Sequence, residues 1–337
     1  MDDNKDDAEI SSFDKALDVI SDISIPAPIQ KSLFKAINRL CTAAVEIPAT
    51  YLENVAAEKK AESQARIKLI ERSSTEIAEQ MQFDPAYAKA AVRKFGERVI
   101  REQVNVDQIV AKATQTILND PTNSSPEDPT TTISDDWLNA FEKEASQKST
   151  QEMQDIFSKL LAGELTKPNS FSVKTIRLIG SLDQNTAELF QKLCSLCISH
   201  RYNSVILDAR APSLNAGGSG TALVKYGITF EALNTLNEYG LIIPDYHSWR
   251  DYSASCANST LPIQLPIHYN NNIWGLIKKP SNNSTSFKVN GVSLTRSGRE
   301  LMTIVQTTEN SEFSLDLASW FDSQGLAMVP AIYPSAP

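Results

Sequence analysis

Apolar residues recur at helical spacing along most of the chain, and the breaks in that pattern divide it into elements. Residues 13–20 form a short amphipathic run that Pro26 and Pro28 interrupt. Residues 30–46 then set Leu33, Phe34, Ile37, Leu40 and Val45 on one face of a helix. Pro48 suits the first turn of a long helix over 49–81. That helix is charged on most faces and keeps only a thin stripe of Leu52, Val55, Leu69 and Ile77, the pattern of packing on one neighbour or a coiled-coil partner. Asp84-Pro85 opens another helix to about residue 101, and a further helix spans 106–119.

The period disappears in PTNSSPEDPTTTIS, residues 121–134, so the main domain boundary is expected within 121–133. Ser134, Asp135 and Asp136 cap a helix that carries Trp137 and Phe141. Residues 150–190 read as two helices: Met153, Ile156, Phe157, Leu160 and Leu161 share one face, Gly163 and Pro168 punctuate, and a second amphipathic run covers 173–190. QKLCSLCISHRYNSVIL then fades from helix towards strand, 210–220 is a Gly/Ser/Asn-rich loop, and 228–238 is helical. Strand-like runs occupy about 261–268, 273–278 and 286–294, and a helix starts at Leu294-Thr295. The order helix, L-x-x-x-G-L-I, strands, L-T-x-x-G-x-x-L, helix resembles the end of a winged-helix domain with an unusually long wing. The expected fold is therefore mainly α with a C-terminal α+β winged-helix-like module. Its segments are an acidic disordered tail (1–10), a helical domain (11–120), the linker, a helical core (134–190), the module (191–310) and an extension (311–337).

Within the fourth segment a motif stands out: Thr150, Glu152, Met153, Gln154, Ile156, Phe157, the run Lys159-Leu160-Leu161-Ala162-Gly163-Glu164, Pro168, Ser170, Phe171, Ser172, Lys174, Thr175 and Arg177. It resembles the bacterial domain family of unknown function 2806, and the likeness covers roughly residues 130–305. More loosely, the run Ile25-Pro26-Ala27-Pro28-Ile29, Ile47-Pro48 and the Leu160-Leu161-Ala162 helix are similar to the abortive-infection alpha-type proteins of bacteria. The resemblance implies a bacterial, defence-associated protein and transfers no catalytic residue. Met153, Phe157, Leu160, Leu161, Gly163, Glu164, Pro168, Ser170, Phe171 and Arg177 are accordingly expected to serve structure.

Composition narrows the classes. A chain of 337 residues holds two or three modest domains. The acidic start over residues 1–9 is neither a secretory signal nor a transit peptide, and four cysteines in so long a chain fit a reducing compartment. A cytoplasmic protein follows, with peripheral attachment to the inner membrane as the variant. The net charge is −9, and residues 1–150 carry most of it, 18 Lys+Arg against 26 Asp+Glu. Such a chain is poorly suited to bulk nucleic-acid binding, which rests on neutralising phosphates.

No GxSxG, HExxH or paired His/Asp constellation appears, so no catalytic residue is assigned. Cys194 and Cys197 with His200 have metal-like spacing, but QKLCSLCI is apolar, which favours buried thiols over a metal site completed by His247, His268 or Cys256. The loop 216–221 lacks the Lys-Ser/Thr of a phosphate loop, so no cofactor is expected. The helix over 229–238 would enter a DNA groove in a winged-helix reading, yet it carries Glu231 and Glu238 and no Lys or Arg, with Asn234 and Asn237 as its adenine-reading candidates. Two basic lines offer contact to an anionic surface: Lys31, Lys35 and Arg39 beside the first apolar face, and Lys89, Arg93, Lys94, Arg98 and Arg101, diluted by Glu97 and Glu102.

The expected function is a non-catalytic bacterial anti-phage defence component acting through protein or membrane-surface contacts. The alternative is a winged-helix DNA-binding regulator, and an unrecognised hydrolase is the third class. The partner expected is a protein, encoded beside this chain, with a peripheral membrane contact as a further option. Nucleic acid is not expected, and homo-oligomerisation would run through the helix 49–81.

Overall fold

A computed structural model of the protein describes residues 26–41, 84–119, 132–202, 205–214, 223–258, 262–280, 282 and 284–331. The expected helices at 13–20 and 49–81, nearly all of the linker and the loop 216–221 lie outside these residues. The chain divides into two compact units, 1–169 and 170–337.

The described part of the first unit is four helices: α1 (Ala27–Leu40), α2 (Pro85–Asn119), α3 (Asp135–Ala145) and α4 (Gln151–Thr166). α1 starts earlier than its periodicity implies, because proline fits a first turn whose N–H groups have no helical acceptor. Its apolar face is buried at Ile29, Leu33, Ile37 and Leu40. The two helices expected over 84–119 are one helix of 35 residues, about 52 Å long. Residues 102–105 contain no breaker, and the lone Gly96 does not end the ladder. α2 packs chiefly on α4, and α1 packs on α2, α3 and α4. Trp137 stacks on Phe141 at 5.1 Å, and Phe141 meets Phe157 at 5.7 Å. The compact division thus falls at Asn169/Ser170, not within 121–133, and it splits the helical core expected over 134–190. Packing of α3 and α4 on α1 and α2 draws the 134–169 stretch into the first unit.

The second unit mixes helices with a nine-stranded sheet. α5 (Val173–Ser181) and α6 (Gln184–Ser195) precede the hairpin β1 (Ile198–Tyr202) and β2 (Val205–Pro212). α7 (Phe230–Glu238) is followed by β3 (Ile242–Ile243), β4 (Trp249–Asp251), β5 (Cys256–Ala257), β6 (Ile267–Tyr269), β7 (Asn272–Lys278) and β8 (Lys288–Leu294). The chain continues with α8 (Arg296–Met302), α9 (Ser311–Ser323) and β9 (Leu326–Pro330). The strand order is β3-β8-β2-β1-β6-β7-β5, with β4 also on β8 and β9 on β7. All pairs are antiparallel except β5 with β7. Among the described residues no helix is long and apolar enough to cross a membrane.

Residues 311–331 are packed into the second unit. α9 buries Phe313, Leu317 and Phe321, and β9 pairs with β7 along its length. Asp316 on α9 accepts hydrogen bonds from Lys225 Nζ and Tyr226 Oη, and the Tyr226 ring meets Phe313 edge-on at 4.9 Å. The sequence L-x-x-x-G-L-I has a backbone cause: Gly240 takes a positive φ of 68° just past α7, and Leu241 N–H closes the helix end onto Leu236 O at 3.0 Å. In the later motif, a Cβ on Gly298 would lie 2.2 Å from Leu241 O, so only glycine lets α8 approach that strand.

Candidate functional site

The motif residues build helix ends and core. Thr150 is the N-cap of α4, accepting from Met153 N–H, while Phe157, Leu160 and Leu161 are fully buried. Met153, Gly163 and Pro168 are half-buried, and α4 continues through Gly163 to Thr166 instead of breaking there. Glu164 is buried and accepts the Asn169 N–H at 2.7 Å, holding the turn in which Asn169 adopts φ 71°.

In the second unit Phe171 is buried, Ser170 half-buried and Arg177 exposed. Ser172 caps α5 through the Thr175 N–H. Glu300 of α8 completes that cap: its Oε2 accepts from Ser172 N–H at 2.7 Å, Ser172 Oγ at 3.0 Å and Thr175 Oγ1 at 2.6 Å. Its other oxygen accepts from Arg296 Nε at 2.7 Å. Sequence reasoning missed Glu300, because it lies more than a hundred residues from the cap that it serves. Glu300→Ala leaves these donors without their carboxylate and is expected to lower stability by about 1–3 kcal/mol, read as a shift of the urea midpoint.

A buried polar cluster forms where β1 and β2 meet the turn before β5. The β1–β2 register sets His200 opposite Asp208, and Arg210 follows Asp208 on the same face. Arg210 binds Asp208 with two parallel bonds, Nε to Oδ2 at 2.8 Å and Nη2 to Oδ1 at 3.0 Å. Its Nη1 donates to Val289 O at 3.0 Å and Ser248 O at 3.1 Å, and Tyr252 Oη donates to Asp208 Oδ2 at 2.9 Å. Burial works to raise the Asp208 carboxyl, but the Arg210 and Tyr252 bonds outweigh it and hold it below the usual range. Burial pushes the Tyr252 hydroxyl well up.

His200 Nε2 lies 2.6 Å from Ser255 Oγ, and that hydroxyl sits 2.6 Å from Leu265 O. The carbonyl can only accept, so Ser255 gives it its single proton and His200 donates to Ser255 from Nε2. Burial lowers the His200 pKa to about 4, and its ring packs 3.8 Å from that of Tyr252. Ser255, His200 and Asp208 are thus the three residue types of a hydrolytic triad in the wrong protonation order. A nucleophile needs its base to accept the hydroxyl proton, and here the imidazole donates. Ser255 is also fully buried.

Cys194 and Cys197 are buried, and burial raises both thiols, so the thiolate that a metal needs is disfavoured. Cys197 Sγ–H donates to Leu193 O at 3.3 Å. Cys256 is pushed up to about 11 by burial. Among the described residues no three His, Cys, Asp or Glu side chains gather as a metal site.

On the surface, the basic line of α1 is largely engaged. Lys35 Nζ donates to Ile133 O at 2.7 Å and pairs with Asp135 at 3.1 Å. Arg39 binds Asn139 at 2.6 Å and Glu142 at 3.4 Å, leaving Lys31 exposed. On α2, Lys89, Arg93, Lys94, Arg98 and Arg101 are exposed, with Arg93 on Glu97 and Arg98 on Glu102. The outer face of α7 exposes Phe230, Glu231, Asn234, Asn237 and Glu238.

Residues 90–318, more than half of the chain, match the family described as "Protein of unknown function (DUF2806)". The chain belongs to DUF2806. No curated protein and no solved structure matches it. The DUF2806 match takes in the capping motif, Glu300, the buried cluster and α7, and leaves α1 outside.

Proposed function

We propose that this DUF2806 chain is a non-catalytic recognition protein that binds another protein through α7, as a component of bacterial anti-phage defence. One observation carries the choice of a protein target: Phe230 is 68% exposed on a helix face otherwise made of Glu231, Asn234, Asn237 and Glu238. An exposed aromatic within a polar, acidic rim has the composition of a protein-binding hot spot. The inward-donating His200 and the sealed Ser255 support a non-catalytic reading. The defence context rests on the loose likeness to abortive-infection alpha-type proteins. Engagement of Lys35 and Arg39 within the first unit favours protein over membrane as the target of α1's surroundings.

The DNA-regulator reading keeps one observation in its favour. α7 runs into β3, and β3 pairs antiparallel with β8, the helix-then-hairpin order that a winged-helix reading needs. The two exposed asparagines could address adenine in a major groove. Fluorescence anisotropy with duplexes selected from a random library separates the readings. At ~0.15 M salt the expected affinity is no tighter than about 10⁻⁵ M and independent of sequence. A selected duplex bound near ~10⁻⁸ M, and released by Asn234→Ala, makes the chain a DNA-binding regulator.

A further inference from the structure

The fold treats the two arginines of the β1–β2 hairpin differently. Arg210 is buried and held by Asp208. Arg201 is half-buried, and its Nε donates to Ser199 Oγ at 3.3 Å. No carboxylate pairs with it among the described residues, and the second unit's remaining residues include no Asp or Glu. Burial works against its charge. A guanidinium drawn out of water is ordinarily matched by an acid. The bond to Ser199 sets both side chains on one face of the sheet. Ser199 stands opposite His268 on β6, which makes His268 the diagonal neighbour of Arg201, within reach of so long a side chain. Ile206 opposes Arg201 on β2, and Ile273 opposes His268 on β7. Burial first, and then the Arg201 charge, lower the His268 pKa, so its imidazole is neutral near neutral pH. This face therefore carries a positive charge that no described acid balances, beside a neutral histidine.

We propose that Arg201 and His268 form a binding site for a monoanionic carboxylate. The planar guanidinium presents its Nη groups as paired donors that match two carboxylate oxygens. The ligand then supplies to Arg201 the charge that Asp208 supplies to Arg210. The neutral His268 ring adds a donor N–H. A phosphate dianion needs a second positive charge, and Arg201 opposes protonation of His268. Ile206 and Ile273 on the same face suit the apolar body of an organic acid better than a hydrated inorganic ion. The site uses β1 and β6, not α7, and does not depend on the protein-recognition reading.

The test uses the full-length chain, whose three histidines give three imidazole signals by NMR. His268→Gln assigns the one that matters. Benzoate is titrated as a free organic acid and N-acetyl-Ala-Phe as a peptide terminus, with benzamide as the uncharged control and inorganic phosphate in a separate series. The expected result is a saturable shift of the His268 signal with a carboxylate and none with benzamide. The His268 pKa should rise in the bound state, because a carboxylate favours the imidazolium. Arg201→Gln should weaken binding at least about tenfold, while unmoved His200 and His247 signals show the fold intact. The carboxylate that binds more tightly names the source. The comparison with benzamide needs no variant, so it holds even if Arg201→Gln disturbs folding. The proposal is overturned by the absence of a saturable shift, by an equal response to benzamide, by tighter binding of phosphate than of either carboxylate, or by undiminished binding in a folded Arg201→Gln.

Discussion

Asp208→Ala is expected to destabilise the second unit by about 3–5 kcal/mol, because it strands the buried Arg210 guanidinium without its counter-charge. Tyr252 Oη loses its acceptor at the same time. The loss should be partly reversed in Asp208→Ala/Arg210→Met, where neither buried charge remains. Chemical denaturation followed by the tryptophans of the second unit reads both. A change below about 1 kcal/mol for the single substitution would mean that the bidentate pair carries little of the fold.

The second large effect belongs to the first unit. Phe157 is fully buried in the motif helix α4, its ring 5.7 Å from Phe141 and 5.9 Å beneath Lys148 Nζ. Phe157→Ala opens a cavity among side chains that cannot all collapse into it, at a cost of about 3–5 kcal/mol. The two substitutions also test the division at Asn169/Ser170. Phe157→Ala should lower the transition of the first unit and Asp208→Ala that of the second. A single transition moved equally by both would contradict two separately folding units.

The parts of the fold legible in the sequence were those fixed locally. Ser134 and the apolar period behind it give α3, and Thr150 with Phe157, Leu160 and Leu161 gives α4. β7 and β8 coincide with apolar runs bounded by Asn, Gly and Ser. What escaped depends on partners distant in the chain. Nothing near residue 300 marks Glu300 as the partner of Ser172, the cap of a helix that starts at Val173. His200, Asp208, Arg210, Tyr252 and Ser255 become a cluster only when β1, β2 and the turn before β5 meet. Each residue alone reads as an ordinary polar position in a strand or loop. The two helices expected over 84–119 are one, because no breaker interrupts the backbone ladder between residues 101 and 106. The sequence names 311–337 only as an extension; the packing of its segment F-S-L-D-L-A-S-W-F depends on β9 and Tyr226, which are not its neighbours in a local pattern.

The family motif is a strong pattern whose described contacts are those of structure. Its conspicuous positions are two N-caps, Thr150 and Ser172, a buried turn clamp, Glu164, and core side chains. These residues hold helix ends, whose N–H and C=O groups need partners wherever they are buried. The proposed recognition surface is therefore an exposed face, and α7 offers one on which Phe230 stands among polar and acidic side chains.

Photo-crosslinking from position 230 tests that assignment most directly. Phe230, standing clear of the α7 surface, is replaced by a benzophenone-bearing phenylalanine in the full-length chain, and the cells are irradiated with and without phage infection. The account predicts a discrete adduct that protease removes and nuclease leaves intact, abolished by Glu231→Lys/Glu238→Lys. An adduct that nuclease removes, or no adduct under either condition, would contradict recognition of a protein through α7.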